Sequence, residues 1–95
     1  MHPDLKIRIH RAAKHLIGRG ATAVYLFGSM AKGRNRDVSD VDLAVTGLPP
    51  AEFFSAMSEA SRIVGREVDL FDLDVDTEVA RSLRTSGELL ELLHG

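Results

Sequence analysis

Six residues in the middle of the chain, Asp40-Val41-Asp42-Leu43-Ala44-Val45, alternate strictly, and that alternation limits the folds open to it. In an extended strand successive side chains point to opposite sides. Val41, Leu43 and Val45 therefore share one face, and Asp40, Asp42 and Ala44 share the other. The first face has to be covered by apolar partners, while the second keeps two carboxylates within reach of water. A strand of this kind calls for a sheet with helices layered on it.

The flanking segments supply such layers. Leu5, Ile9, Ala12 or Ala13, and Leu16 recur at helical spacing among Lys6, Arg8, Arg11 and Lys14, which predicts an amphipathic helix that Gly18 and Gly20 stop. Ala21 to Phe27 is a short apolar run with β-branched and aromatic members, the composition of a strand covered on both faces. Gly28-Ser29 ends it, with Ser29 placed to cap a helical turn before the polar stretch Lys32-Gly33-Arg34-Asn35-Arg36-Asp37. After Gly47, Pro49 and Pro50, a helix opens with Pro50 and Glu52 in its first turn and a stripe of Phe53, Met57, Ala60 and Val64, ending at Gly65. Glu67 to Leu73 reads as a third strand and Thr77 to Leu83 as a short helix, whereas Gly87 to Gly95 fits helix or strand equally well. The expected architecture is α/β (α+β), a small mixed sheet with helices packed on it, in one domain spanning residues 1–95.

Composition excludes several classes of function. With no cysteine there is no disulfide, thiolate nucleophile or cysteine-ligated zinc. A formal net charge of −2 gives no overall attraction to nucleic acid or anionic membrane, so any anion site has to be local and no direct nucleic-acid binding is expected. The first sixteen residues alternate charged and apolar side chains and lack the apolar run of a signal peptide or membrane span, which makes a cytoplasmic location the expectation.

Carboxylates at i and i+2 of one strand lie about 6 to 7 Å apart on one face, close enough to converge on a divalent ion. Hard oxygen donors without nearby His or Cys favour Mg²⁺, with Mn²⁺ as the alternative. Upstream, Gly28-Ser29 offers backbone N–H groups where a strand turns, a place suited to phosphate oxygens. Asp69 on the third strand adds another carboxylate, to hold metal or to deprotonate an attacking hydroxyl. Lys32, Arg34 and Arg36 are cations available to an anionic leaving group, although loop cations more often serve only solvation. Asp72 shares the face of Val68 and Leu70 and so points away from Asp69. A phosphate-loop reading fails, because Arg34-Asn35 follows Gly33 where Lys-Ser or Lys-Thr is needed. His10, His15 and His94 lack ligand-like spacing and read as surface residues.

Gly28-Ser29, ten intervening residues and Asp40-Val41-Asp42 resemble the signature of the nucleotidyltransferase superfamily that includes DNA polymerase β. In length and in the stretch FGSMAKGRNRDVSDVDLAV the chain looks like the superfamily's minimal nucleotidyltransferase (MNT) group, with Lys32 standing where many relatives carry Arg. The resemblance implies a palm-like fold and a Mg²⁺-bound ATP. Asp40, Asp42 and Asp69 would then be the catalytic and metal-binding residues, and Gly28, Ser29, Lys32 and Arg36 would hold the nucleotide's phosphates. It also implies a closing strand after Gly87, which tips Gly87-Glu88-Leu89-Leu90 toward extended structure. MNT proteins are typically paired with a small helical HEPN protein. The implied function is therefore an antitoxin that transfers AMP from ATP to a hydroxyl of a HEPN toxin, a tyrosine for preference, within a hetero-oligomer. Two alternatives remain: an antitoxin that acts by binding alone, and a small-molecule nucleotidyltransferase with a separate acceptor-binding subunit.

Overall fold

The computed structural model describes residues 3–28, 41–86 and 89–95. In chain order the elements are α1 (Pro3–Gly18), β1 (Ala23–Phe27), β2 (Val41–Thr46), a 3₁₀ turn (Pro50–Glu52), α2 (Phe53–Val64), β3 (Val68–Asp72), α3 (Glu78–Ser86) and β4 (Leu90–His94). The four strands form one mixed sheet in the order β3-β2-β1-β4. β1 runs antiparallel to β2 and to β4, and β2 runs parallel to β3. A parallel pair needs a crossover, and α2 supplies it.

The alternation of the central strand is realised as expected. Val41, Leu43 and Val45 face α1 and α2 and are buried, together with Val24 and Leu26 of β1 and Val68 and Leu70 of β3. From α1 the stripe Leu5, Ile9, Ala12, Ala13 and Leu16 closes onto this face, and from α2 the residues Ala56, Ala60 and Val64 do so. Small residues on α2 let it lie close to α1 and the sheet. The other face carries a smaller cluster of Ala44, Leu73, Ala80 and Leu83, with Tyr25, Phe27, Phe71 and Leu89 half-buried against it, so α3 covers only part of that side.

α1 ends at Gly18 and the chain turns at Gly20, whose φ is +121°, as the two glycines predict, while the other boundaries shift by a few residues from the sequence reading. Pro50–Glu52 is a 3₁₀ turn rather than the first turn of α2, with the Phe53 N–H donating to the Pro50 carbonyl. Proline cannot donate, and the extended Pro49 before it (φ −59°, ψ 137°) delays regular helix until Phe53. The ambiguous tail settles as a strand over Leu90–His94, with a register irregularity opposite Val24 and Tyr25. α2 ends as expected at Gly65, whose N–H makes the last helical bond to the Ser61 carbonyl and whose φ of +81° turns the chain out of the helix. Among the described residues no helix is long and apolar enough to cross a membrane.

Candidate active site

The register of the sheet sets Phe27, Asp42 and Asp69 side by side in one row across β1, β2 and β3, followed by a row of Tyr25, Ala44 and Phe71. Residues paired across neighbouring strands point to the same face, so Asp42 and Asp69 stand together on the side away from α1 and α2. Both are half-buried. They lie at the end of the sheet where β1 finishes and β2 and β3 begin. Two carboxylates from adjacent strands, neighbours at the separation of a strand pair, supply hard oxygen donors of a kind compatible with a divalent ion.

Gly28 adjoins this pair directly. Its φ is +75°, a left-handed conformation that disfavours any side chain, and a Cβ built there would come within 2.6 Å of the Asp42 Oδ2 atom. Glycine is therefore required twice at this position, by its backbone angle and by the carboxylate beside it. The same contact shows that the Asp42 carboxylate leans toward the end of β1, where the expected phosphate-binding turn starts. Hard oxygen donors of this type, without His or Cys beside them among the described residues, are the donor chemistry that suits Mg²⁺ or Mn²⁺. Among the described residues no group of three His, Cys, Asp or Glu side chains is placed to hold a metal. The remaining expected ligand, Asp40, lies outside the described residues, as do Ser29, Lys32, Arg34 and Arg36.

Asp72 behaves as its position predicts. It pairs with Val45, on the face opposite Asp69, and its Oδ1 accepts the Asp74 N–H at 2.9 Å. Asp74 in turn accepts the Gly47 N–H at 2.5 Å. These acids tie the end of β3 to the end of β2 and take no part in the carboxylate row.

A second polar cluster escaped the sequence reading. Glu59 of α2 accepts from the His15 ring at 2.9 Å and from the Arg19 guanidinium at 2.5 Å, and Arg19 also donates to Glu52 at 2.6 Å. The His15 hydrogen bond, with Arg19 after it, holds the Glu59 carboxyl below its ordinary 4.5, while partial burial pushes the other way. The partners stand 33 to 44 residues apart in the chain, so no local spacing announces them. This cluster clamps α1 to α2 on the side of the sheet away from the carboxylates and is structural. An open cavity of about 700 Å³ bounded by Arg11, Lys14, His15, Gly18, Arg19 and Ile63 lies on the same helical side.

Comparison with known proteins agrees with this fold. The family described as polymerase beta, nucleotidyltransferase, matches residues 12–91. Among solved structures, a minimal nucleotidyltransferase superimposes with a TM-score of 0.72 at 24% identity, covering 90% of this chain and 90% of that one. A chain from the crystal structure of a toxin–antitoxin with AMP-PNP gives 0.71 at 22% identity, covering 95% of this chain and 73% of that one. A chain from the structure of a tri-AMPylated Shewanella oneidensis HEPN toxin in complex with its MNT antitoxin gives 0.69 at 19% identity, covering 96% and 73%. At these identities the likeness establishes a shared fold. No match is found among the curated proteins.

Proposed function

The chain belongs to the polymerase β nucleotidyltransferase family, and from that premise we propose that it is a Mg²⁺-dependent adenylyltransferase that moves AMP from ATP to a tyrosine hydroxyl of a HEPN-family toxin, acting as its antitoxin. The observation that carries this reading is the placement of Asp42 and Asp69 in one row of the sheet, with the Asp42 carboxylate against Gly28. The partner and the adenylyl chemistry draw support from the structural neighbours, which include an antitoxin bound to a tri-AMPylated HEPN toxin and a toxin–antitoxin with an ATP analogue.

Asp40, Asp42 and Asp69 would hold the ion as hard oxygen donors. When bound, Mg²⁺ supplies charge neutralisation on the triphosphate and draws electron density from the α-phosphorus. Gly28 and Ser29 would offer backbone N–H groups to phosphate oxygens, and Lys32 and Arg36 would balance the charge that develops on pyrophosphate. The toxin's hydroxyl oxygen forms a bond to the α-phosphorus, the bond from that phosphorus to the bridging oxygen breaks, and pyrophosphate leaves. Asp69, beside Asp42 on the neighbouring strand, accepts the hydroxyl proton. The acceptor surface comes from the partner.

The test is incubation of the purified chain with Mg²⁺, α-labelled ATP and a HEPN toxin, beside an Asp42→Ala variant. Label is expected on the toxin with the native chain alone. Toxin that is bound and neutralised but unlabelled in both reactions would replace catalysis with neutralisation by binding. Label found only on a small molecule would reassign the acceptor.

A further inference from the structure

We propose that Phe27 and Phe71 are positioning residues for the Asp42–Asp69 pair: their rings meet above β2 and wall off the α3 side of the carboxylates, keeping them turned toward Gly28 and the cation. The inference rests on the metal-dependent reading given above and adds residues to which that reading assigns no part.

Phe27 is paired with Asp42 across β1 and β2, and Phe71 lies two residues beyond Asp69 on β3, on the same face. β1 and β3 are not neighbours. Two strand spacings, about 9.6 Å, separate their backbones. Yet the ring centroids are only 5.2 Å apart, with an interplanar angle of 69°. Both rings therefore lean inward over the central strand and meet edge to face, the favoured arrangement for an aromatic pair. Beneath them lies Ala44, which is wholly buried. It is the residue of β2 that follows Asp42 on this face, and a larger side chain there would lift the rings apart. On their far side the rings pack in the cluster formed by Leu73, Ala80 and Leu83.

Phe27 in the carboxylate row and Phe71 in the next thus place hydrocarbon on the α3 side of the pair. An ionised oxygen turned toward that wall would be neither solvated nor hydrogen-bonded, which is costly, so the stable orientations point the other way. Asp42 has that orientation, since its Oδ2 lies 2.6 Å from where a Gly28 Cβ would stand. An apolar wall also limits water on one side of the site, and the attraction between carboxylate and cation strengthens as water is excluded. Phe27 and Phe71 touch neither substrate nor cation and act only through the orientation of the two aspartates.

The experiment is titration with Mn²⁺, read as free-ion signal by electron paramagnetic resonance and needing neither nucleotide nor acceptor, alongside thermal unfolding of each protein. Phe27→Leu and Phe71→Leu keep an apolar side chain and remove the ring contact. Each is expected to weaken Mn²⁺ binding on the order of 3- to 10-fold. Leu83→Ala loosens the same cluster from α3 and is the structural control, expected to lower the unfolding temperature with Mn²⁺ affinity unchanged. If Phe71→Leu does not fold, Phe71→Met fills the volume without a ring and is expected to show the same weakening. Native affinity in both ring variants, or equal weakening in Leu83→Ala, would overturn the positioning role while leaving the metal site standing. A native chain that binds no more Mn²⁺ than Asp42→Asn would remove the metal-dependent reading itself, and this inference with it.

Discussion

On the α1–α2 side of the sheet the strands present Val24, Leu26, Val41, Leu43, Val45 and Val68, all buried against two helices. On the other side the intervening residues of the same strands present Phe27, Asp42, Ala44, Asp69 and Phe71, and only α3 covers part of them. The two faces share one backbone and one register, so position along a strand does not decide what a residue does; its parity does. One face is built for burial and holds the fold. The other leaves two carboxylates half-buried side by side, like charges on paired positions that oppose stability unless a cation lies beside them. Substitutions should accordingly separate into those that cost stability and those that cost chemistry.

The largest effect that would sharpen this division is at Asp42. Asp42→Asn is expected to lower adenylyl transfer on the order of 10³-fold with urea unfolding nearly unchanged, and a comparable loss of stability would break the division. Its neighbour Leu43 should behave in the opposite way. Leu43→Ala empties a fully buried position and is expected to cost about 2 to 5 kcal/mol in urea unfolding, with the transfer rate per folded molecule close to native. Gly28 joins the two regimes. Gly28→Ala puts a side chain at a φ of +75° and against the Asp42 carboxylate, so it should lose on the order of 1 to 2 kcal/mol and, by displacing that carboxylate, about tenfold in transfer. Stability loss without any rate loss would show that the contact with Asp42 is not functional.

The smallest effect lies between the helices. The Glu59 carboxyl is held below its ordinary 4.5, chiefly by the His15 hydrogen bond. A depressed carboxyl pKa gives stability that is present above the unfolded value and lost as pH falls through the folded one. Glu59→Gln should thus lower the unfolding temperature slightly at pH 7, with the difference from native shrinking as pH falls below 4.5 and vanishing once it is below the depressed folded value, and the transfer rate unaffected. A difference that persisted in acid would mean that packing, and not charge, explains the cluster.

The two faces were not equally legible in the sequence. The alternation of residues 41 to 45 identified the buried and carboxylate sides of β2, because side-chain parity is a local property of an extended chain. The glycine at 28 and the aspartates were legible as a pattern of spacing. Their convergence depends on β2 pairing with β3 in one register, Asp42 opposite Asp69, which no local pattern fixes. Strand order was not legible either, since the leucine-rich tail becomes β4 only by finding the open edge of β1. Likewise the clamp of His15, Arg19, Glu52 and Glu59, and the meeting of Phe27 with Phe71, exist only after the layers have packed.

Equilibrium binding of Mg²⁺ with a non-hydrolysable ATP analogue, measured by calorimetry on the native chain and on Asp42→Asn at equal folded concentration, tests the central claim most directly. The account predicts that the native chain binds the nucleotide only with the ion present, and that Asp42→Asn loses this binding while unfolding at the native urea concentration. Equal binding by both proteins would contradict it, because the carboxylate row would then not be where the nucleotide is held.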